Sequence, residues 1–200
     1  MNAEWLAGLY TRFPGLKSPV CLRLEFGSPL AGGSDKRFRQ IYNRSWQVVE
    51  QIFGSSEHIC LLIKDWDETA WREDADYVYR LLAGRIACTE VVEEQAPLLR
   101  PDFPTHTHRQ TLAVIPPKEN LCRSILQGIA HCEQGREPEI GQNVYWIKEN
   151  GEIIFYMYDD CRCVIYADAP EKIRYLYDLH QDWVEEYWRE DMQKQFDEQD

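Results

Sequence analysis

The chain has 200 residues, 44% hydrophobic and 28% charged, enough apolar material for a core that needs neither metal nor disulfide to hold it. Its 34 acids outnumber 22 bases, for a net charge of −12. That balance argues against nucleic acid and anionic membrane surfaces as general partners and favours a basic protein, although acidity also simply keeps a protein soluble. No run approaches the roughly 20 apolar residues of a membrane span, and the opening "MNAEWLAGLYTRFPG" lacks the basic start and apolar core of a secretory signal. The 7 cysteines are irregularly spaced, and Cys21, Cys60 and Cys88 sit in apolar runs, which points to buried thiols in a reducing cytoplasm.

In chain order, "VCLRLEFG" alternates Leu22, Leu24 and Phe26 against Arg23 and Glu25, the pattern of a half-buried strand. A loop, "SPLAGGSD", follows. In "KRFRQIYNRSWQVVEQIFG" the residues Phe38, Ile41, Tyr42, Ser45, Val49, Ile52 and Phe53 recur at helical steps, predicting an amphipathic helix that ends at Gly54. "HICLLIKDW" reads as a buried strand. "DWDETAWREDAD" reads as a loop or short helical piece, "DYVYRLLAG" as a helix stopping at Gly84, and "IACTEVVEE" as a strand. The proline-rich "QAPLLRPDFPTHTH" is expected to be a loop, and "RQTLAVIPP" a strand ended by proline. "KENLCRSILQGIAHCEQG" predicts a second amphipathic helix, with Leu121, Ile125, Ile129 and Cys132 on one face. "QNVYWIKENGEIIFYMY" predicts a hairpin turning at Asn150-Gly151, and "CVIYAD" the next strand of a meander. From Ala169-Pro170 the chain is predicted helical, with Ile173, Leu176, Tyr177, His180, Val184, Tyr187 and Trp188 as its apolar stripe.

Few residues form a chemical motif. "LAGGSDK" lacks phosphate-loop spacing, and no G-x-S-x-G elbow occurs. His106 and His108 make half a metal site at most and are expected to be exposed loop histidines; Cys161 and Cys163 lack a second cysteine pair. Asp159 and Asp160 lie in "FYMYDDCRCVIY" beside Arg162. If the strand ran unbroken, Asp159, Cys161 and Cys163 would share one face and suggest a metal; the preferred reading is a turn over Asp160 to Arg162, fixed by a charge-assisted pair. From Asp178 onward nine acids face only Arg189 and Lys194. Asp182, Glu185, Glu186 and Arg189 fall on one face at helical spacing, among Trp183 and Trp188, which is either a solvated face or a docking surface for a basic protein.

Four stretches carry a family resemblance: "LRLEFG" (22–27), "IYNRSWQVVEQIF" (41–53), "YDDCRC" (158–163) and "LYDLHQDWVEEYWREDMQKQF" (176–196), with "GREPEIGQNVYWI" before the hairpin. The chain resembles an uncharacterised bacterial family, a domain of unknown function. Its pattern has a Leu-Arg-Phe-Glu-like strand, an arginine-bearing helix, a Tyr-Asp-Asp-Arg-Gly-like hairpin and a C-terminal Leu-Tyr/Asp-Trp/Arg-Glu helix. This chain has Cys161-Arg162 where that pattern has Arg-Gly. The resemblance implies the organisation of the chain and brings no reaction with it.

The expected fold is α+β, with helices on a mixed, largely antiparallel sheet and a C-terminal β-meander followed by a long helix. A single domain spans 1–200, divisible into lobes at 1–100 and 101–200. No cofactor, metal or catalytic set is expected. The leading expectation is a cytoplasmic immunity protein that binds and neutralises a basic, nuclease-type toxin. The expected partner-binding residues are Asp159, Asp160, Asp182, Trp183, Glu185 and Glu186. The alternatives are an enzyme acting on a small molecule through Asp159 and Asp160, with Glu25 or His180, and a self-associating structural domain.

Overall fold

The computed structural model describes residues 3–66, 76–95 and 105–197. Seven strands form one sheet in the order β1-β7-β6-β5-β2-β4-β3. They are β1 (Cys21–Glu25), β2 (Ile59–Asp65), β3 (Ile86–Gln95), β4 (Thr105–Ile115), β5 (Asn143–Lys148), β6 (Ile153–Met157) and β7 (Arg162–Ala167). The fold is α+β. Every neighbouring pair among the described strands is antiparallel, so the mixed component expected of the sheet does not occur there. β2 is buried along its whole length, as its unbroken apolar run requires of a central strand flanked by β4 and β5. β1 alternates, with Leu22 and Leu24 buried and Cys21, Arg23 and Glu25 partly exposed. The meander β5-β6-β7 turns first at Gly151, whose φ of +67° a side chain would strain.

The helices α2 (Asp35–Phe53) and α4 (Glu119–Cys132) cover one face of the sheet and α1 (Ala3–Arg12) part of the other. α2 starts where the Ser34 side chain accepts from Arg37 N (3.2 Å) and ends at Gly54. It buries Ile41, Val48, Val49, Ile52 and Phe53, each contributing about 1.5–3 kcal/mol of apolar burial. α4 passes so close to Ile140 that a Cβ on Gly128 would lie 2.7 Å from that side chain. A short helix, α3 (Tyr77–Leu81), precedes β3. Among the described residues no helix is long and apolar enough to cross a membrane.

Of the cysteines expected to be buried, Cys60 is, but Cys21 is half-buried and Cys88 is exposed on β3, an edge strand; the structure corrects the sequence reading in two further places. The first is the "THTH" segment, which is strand rather than loop, because β4 begins at Thr105 and its residues 105–108 pair with β3. His108 is consequently buried, its ring 4.4 Å from that of Trp66; the His106 side chain lies outside what is described, as do residues 67–75 and 96–104.

The second is the C-terminal helix, which is not continuous. A turn at Pro170–Lys172 leads into α5 (Arg174–Leu179), a 3-10 turn follows at Gln181–Trp183, and Val184 and Glu185 are extended, with ψ of 128° at each. Another turn, at Glu186–Trp188, leads into α6 (Arg189–Asp197). The break has a cause in β1, whose outer backbone groups would otherwise go unpaired. Val184 bridges to Leu24, and Glu185 N donates to Arg23 O (3.2 Å). Gln195 pairs with both backbone groups of Cys21 (3.2 and 2.9 Å). The common helical face expected for Asp182, Glu185, Glu186 and Arg189 therefore does not form, and Tyr187 leaves the apolar stripe to stand 84% exposed.

Candidate functional site

The chain does turn between β6 and β7. Tyr158 N donates to Arg162 O (3.2 Å), and Asp159 Oδ1 accepts from Cys161 N (2.9 Å) and Arg162 N (2.6 Å). Its Oδ2 pairs with Arg162 Nε at 2.8 Å. An aspartate that accepts from the backbone two and three residues ahead builds a turn in the extended-strand context that this sequence supplies. Arg162 is held protonated more firmly than an ordinary arginine, chiefly by Asp159.

Asp160 points the other way. Its Oδ2 accepts from Gln134 Nε2 (2.8 Å), just past α4, and from Arg37 Nη1 (3.3 Å) in the first turn of α2. Arg37 fits only because Gly27 has no side chain: a Cβ there would lie 2.3 Å from Arg37 Nη2. Beside it Phe26 N donates to Cys161 O (2.6 Å). Gln40 Nε2 lies within 2.8–3.1 Å of the carbonyls of Phe26, Gly27 and Ser28, and Arg44 Nη1 donates to those of Phe26 (3.2 Å) and Ser28 (2.8 Å). Arg44 also lies over the Trp183 ring (4.7 Å), and that ring stacks on His180 (4.1 Å) and meets Phe26 edge-on. Four segments far apart in sequence thus meet at one corner: the end of β1, the start of α2, the β6–β7 turn and the 180–185 segment.

Glu185 closes the same corner. It is buried and accepts a 2.5 Å hydrogen bond from the Tyr158 hydroxyl. Burial, together with the Glu185 carboxylate, pushes the Tyr158 hydroxyl far up, so the phenol keeps its proton. Ligand atoms of Asp159, Asp160 and Cys161 lie within 4.8 Å of one another, close enough to share an ion. Their existing partners argue against that use. Both carboxylates already face guanidinium groups, and burial pushes the Cys161 thiol up to about 12, away from the thiolate a metal needs. The geometry orders a turn and ties elements together, with Asp159 engaged by backbone and Arg162 and Asp160 by Gln134 and Arg37.

Of the six expected partner-binding residues, the structure brings Asp159, Asp160, Glu185 and Trp183 to this corner as internal contacts. Only Asp182 and Glu186 face solvent. Glu186 pairs with Arg189 (3.0 Å) with its side chain 88% exposed. The exposed surface continues through Tyr187, Trp188, Glu190 and Asp191, which with Glu186 and Arg189 line a shallow cleft. Trp188 meets Tyr187 edge-on (5.0 Å) and carries the Arg23 guanidinium on its ring (4.5 Å). Tyr187 was the residue that periodicity misassigned. The signal that finds it is local: "EYWRED" contains no aliphatic residue, which a buried helical turn would need.

A family model described as a domain of unknown function (DUF3885) matches residues 8–188. An uncharacterized protein of Bacillus subtilis (strain 168), YnaE, is 30% identical over 77 residues, a match covering 36% of this chain and 36% of that protein. The chain thus spans little more than a third of the length of the curated relative it matches. No solved structure matches. The family match runs from within α1 to Trp188 and takes in all seven strands and the whole corner around Asp160, so the chain belongs to the DUF3885 family.

Proposed function

We propose that this chain is a cytoplasmic binding protein of the immunity type, which docks a basic, nuclease-type toxin domain and neutralises it. The observation that carries this reading is the contrast between two sets of acids. Those that could have done chemistry, Asp159 and Asp160, are consumed by arginines and backbone. Those that remain exposed are Asp182 and, lining the cleft with Tyr187 and Trp188, Glu190, Asp191 and Glu186, the last in a solvent-facing pair with Arg189. An exposed tyrosine and a half-buried tryptophan supply apolar contact area of the kind that anchors interfaces. The acids around them, on a chain of net charge −12, would steer a basic partner and stand in for the phosphates of its substrate. The small-molecule alternative draws no support from this geometry, because His180 Nε2 is engaged with Gln51 Oε1 (2.7 Å) and Asp159 serves the turn.

The test is coexpression and copurification with a toxin encoded beside this gene, followed by nuclease assay. The expected result is a stable complex that silences the nuclease. The double variant Glu186→Lys with Tyr187→Ala should weaken it by about tenfold or more, or roughly 1.4 kcal/mol. No toxin gene alongside, or a complex indifferent to that double variant, would sink the proposal.

A further inference from the structure

The sheet has two edges, and the protein treats them differently. β1 is covered, by Val184, Glu185 and the Gln195 side chain. β3, ten residues long, pairs on one side with β4 and with nothing else among the described residues. The direction of its outer groups follows from one hydrogen bond. Val114 N donates to Arg85 O (3.1 Å), so the Val114 amide faces the β3 side. Amides alternate along a strand, so those of Leu112, Gln110 and His108 face β3 as well. The residues opposite them are Cys88, Glu90 and Val92, whose backbone groups point inward to β4. Thr89, Val91 and Glu93 therefore direct their N–H and C=O groups outward.

The same stretch is exposed and carries one sign of charge. Thr89, Glu90 and Glu93 are exposed, and Val91 is 62% exposed. From Ile86 to Gln95 there are three glutamates, Glu90, Glu93 and Glu94, and no lysine or arginine. Acids on an edge keep like edges apart, and by the same charge they select an edge of opposite sign. A second copy of this chain would bring glutamates against glutamates.

We propose that β3 is a docking edge, onto which an extended basic segment of a partner protein adds as a further strand. Its backbone pairs with Thr89, Val91 and Glu93, and on the face these three share its lysines or arginines reach Glu93 while their aliphatic stems cover Val91; Glu90 lies on the opposite face, where it accepts from Gln110 Nε2 (2.9 Å). The proposal concerns a different surface from the 182–191 cleft and does not rest on the immunity reading.

The test uses the full chain and a peptide of alternating lysine and threonine matched to β3 in length, with an alternating glutamate and threonine peptide as control. Amide exchange is followed by NMR. The basic peptide is expected to slow exchange at Thr89, Val91 and Glu93 by about tenfold or more, and the acidic one to leave it unchanged. Val91→Pro removes one outward N–H at an edge position that tolerates proline, and should weaken binding about tenfold while β3 stays paired to β4. Glu93→Lys, which leaves the backbone intact, should weaken the basic peptide and admit the acidic one; Tyr187→Ala should change nothing. The proposal is overturned if the basic peptide does not bind, if protection appears elsewhere, or if both β3 variants bind it like the parent. It is overturned too if these amides become protected without peptide as protein concentration rises, which would make the occupant a second copy.

Discussion

Gly27, Arg37 and Asp160 show how a single missing side chain can organise a corner. Arg37 lies where a Cβ on residue 27 would be, and its side chain is only 13% exposed. Its guanidinium reaches Asp160, which also holds Gln134. Removing Asp160 leaves a largely buried charge without its carboxylate, so Asp160→Ala should cost about 2–3 kcal/mol, read as a lower urea midpoint. Gly27→Ala forces Arg37 off Asp160 and should cost about 1–3 kcal/mol on its own. In the double variant Arg37 is already released, so the two costs should fall short of additive by about 1 kcal/mol. Strict additivity would mean that the two positions do not act through Arg37. That the chain turns here was legible in the sequence, because two apolar runs flank a short polar one, but the turn expected over Asp160 to Arg162 falls earlier: Asp159 builds it, and Arg162 already opens β7. That Asp160 belongs to Arg37 was not, since nothing local marks which distant arginine a glycine has made room for.

Among the elements, those with their signals close at hand were the legible ones. Leu22 and Leu24 alternate with polar neighbours, helical periodicity and Gly54 mark α2 and its end, and Asn150-Gly151 turns the hairpin. The segment from Ala169 to Phe196 reads as one helix in the sequence because its interruption is dictated from elsewhere. Its periodicity is helical, but β1 offers unpaired backbone, and Val184 and Glu185 take extended geometry to meet it. Likewise "THTH" reads as loop beside three prolines, and only its pairing with the distant residues 92–95 of β3 makes it strand. α6 completes the covering of β1 through the Gln195 amide, which donates to Cys21 O and accepts from Cys21 N as a neighbouring strand would. Gln195→Ala removes both bonds and should cost about 1–2 kcal/mol. Amide exchange at Cys21 should speed up selectively, while exchange in β2, at the sheet centre, moves only with global stability. Equal acceleration in both strands would show that Gln195 acts on the whole fold and not on the edge.

Across the whole molecule, one excess of charge should act with opposite signs on folding and on binding. The chain carries −12, and its described ion pairs include exposed ones such as Glu186 with Arg189, and Arg123 with Glu119 at 2.7 Å. Exposed pairs contribute about 0–1 kcal/mol each, so screening them costs little. The summed repulsion of uncompensated carboxylates in a compact state is the larger salt-sensitive quantity. The screening length falls from about 30 Å at 0.01 M salt to about 8 Å at 0.15 M, below the dimensions of a domain this size. The folded state should therefore gain about 1–2 kcal/mol over that range, a rise in melting temperature of about 2–8 °C. The same screening removes the long-range attraction to a basic partner, so association should slow by about tenfold or more while dissociation changes far less. A thermal melt series and stopped-flow association with the basic β3 peptide, in the same buffers, would measure both. If salt lowered the melting temperature, local ion pairs would outweigh net repulsion. If the association rate ignored salt, the acidity would concern solubility and not recognition.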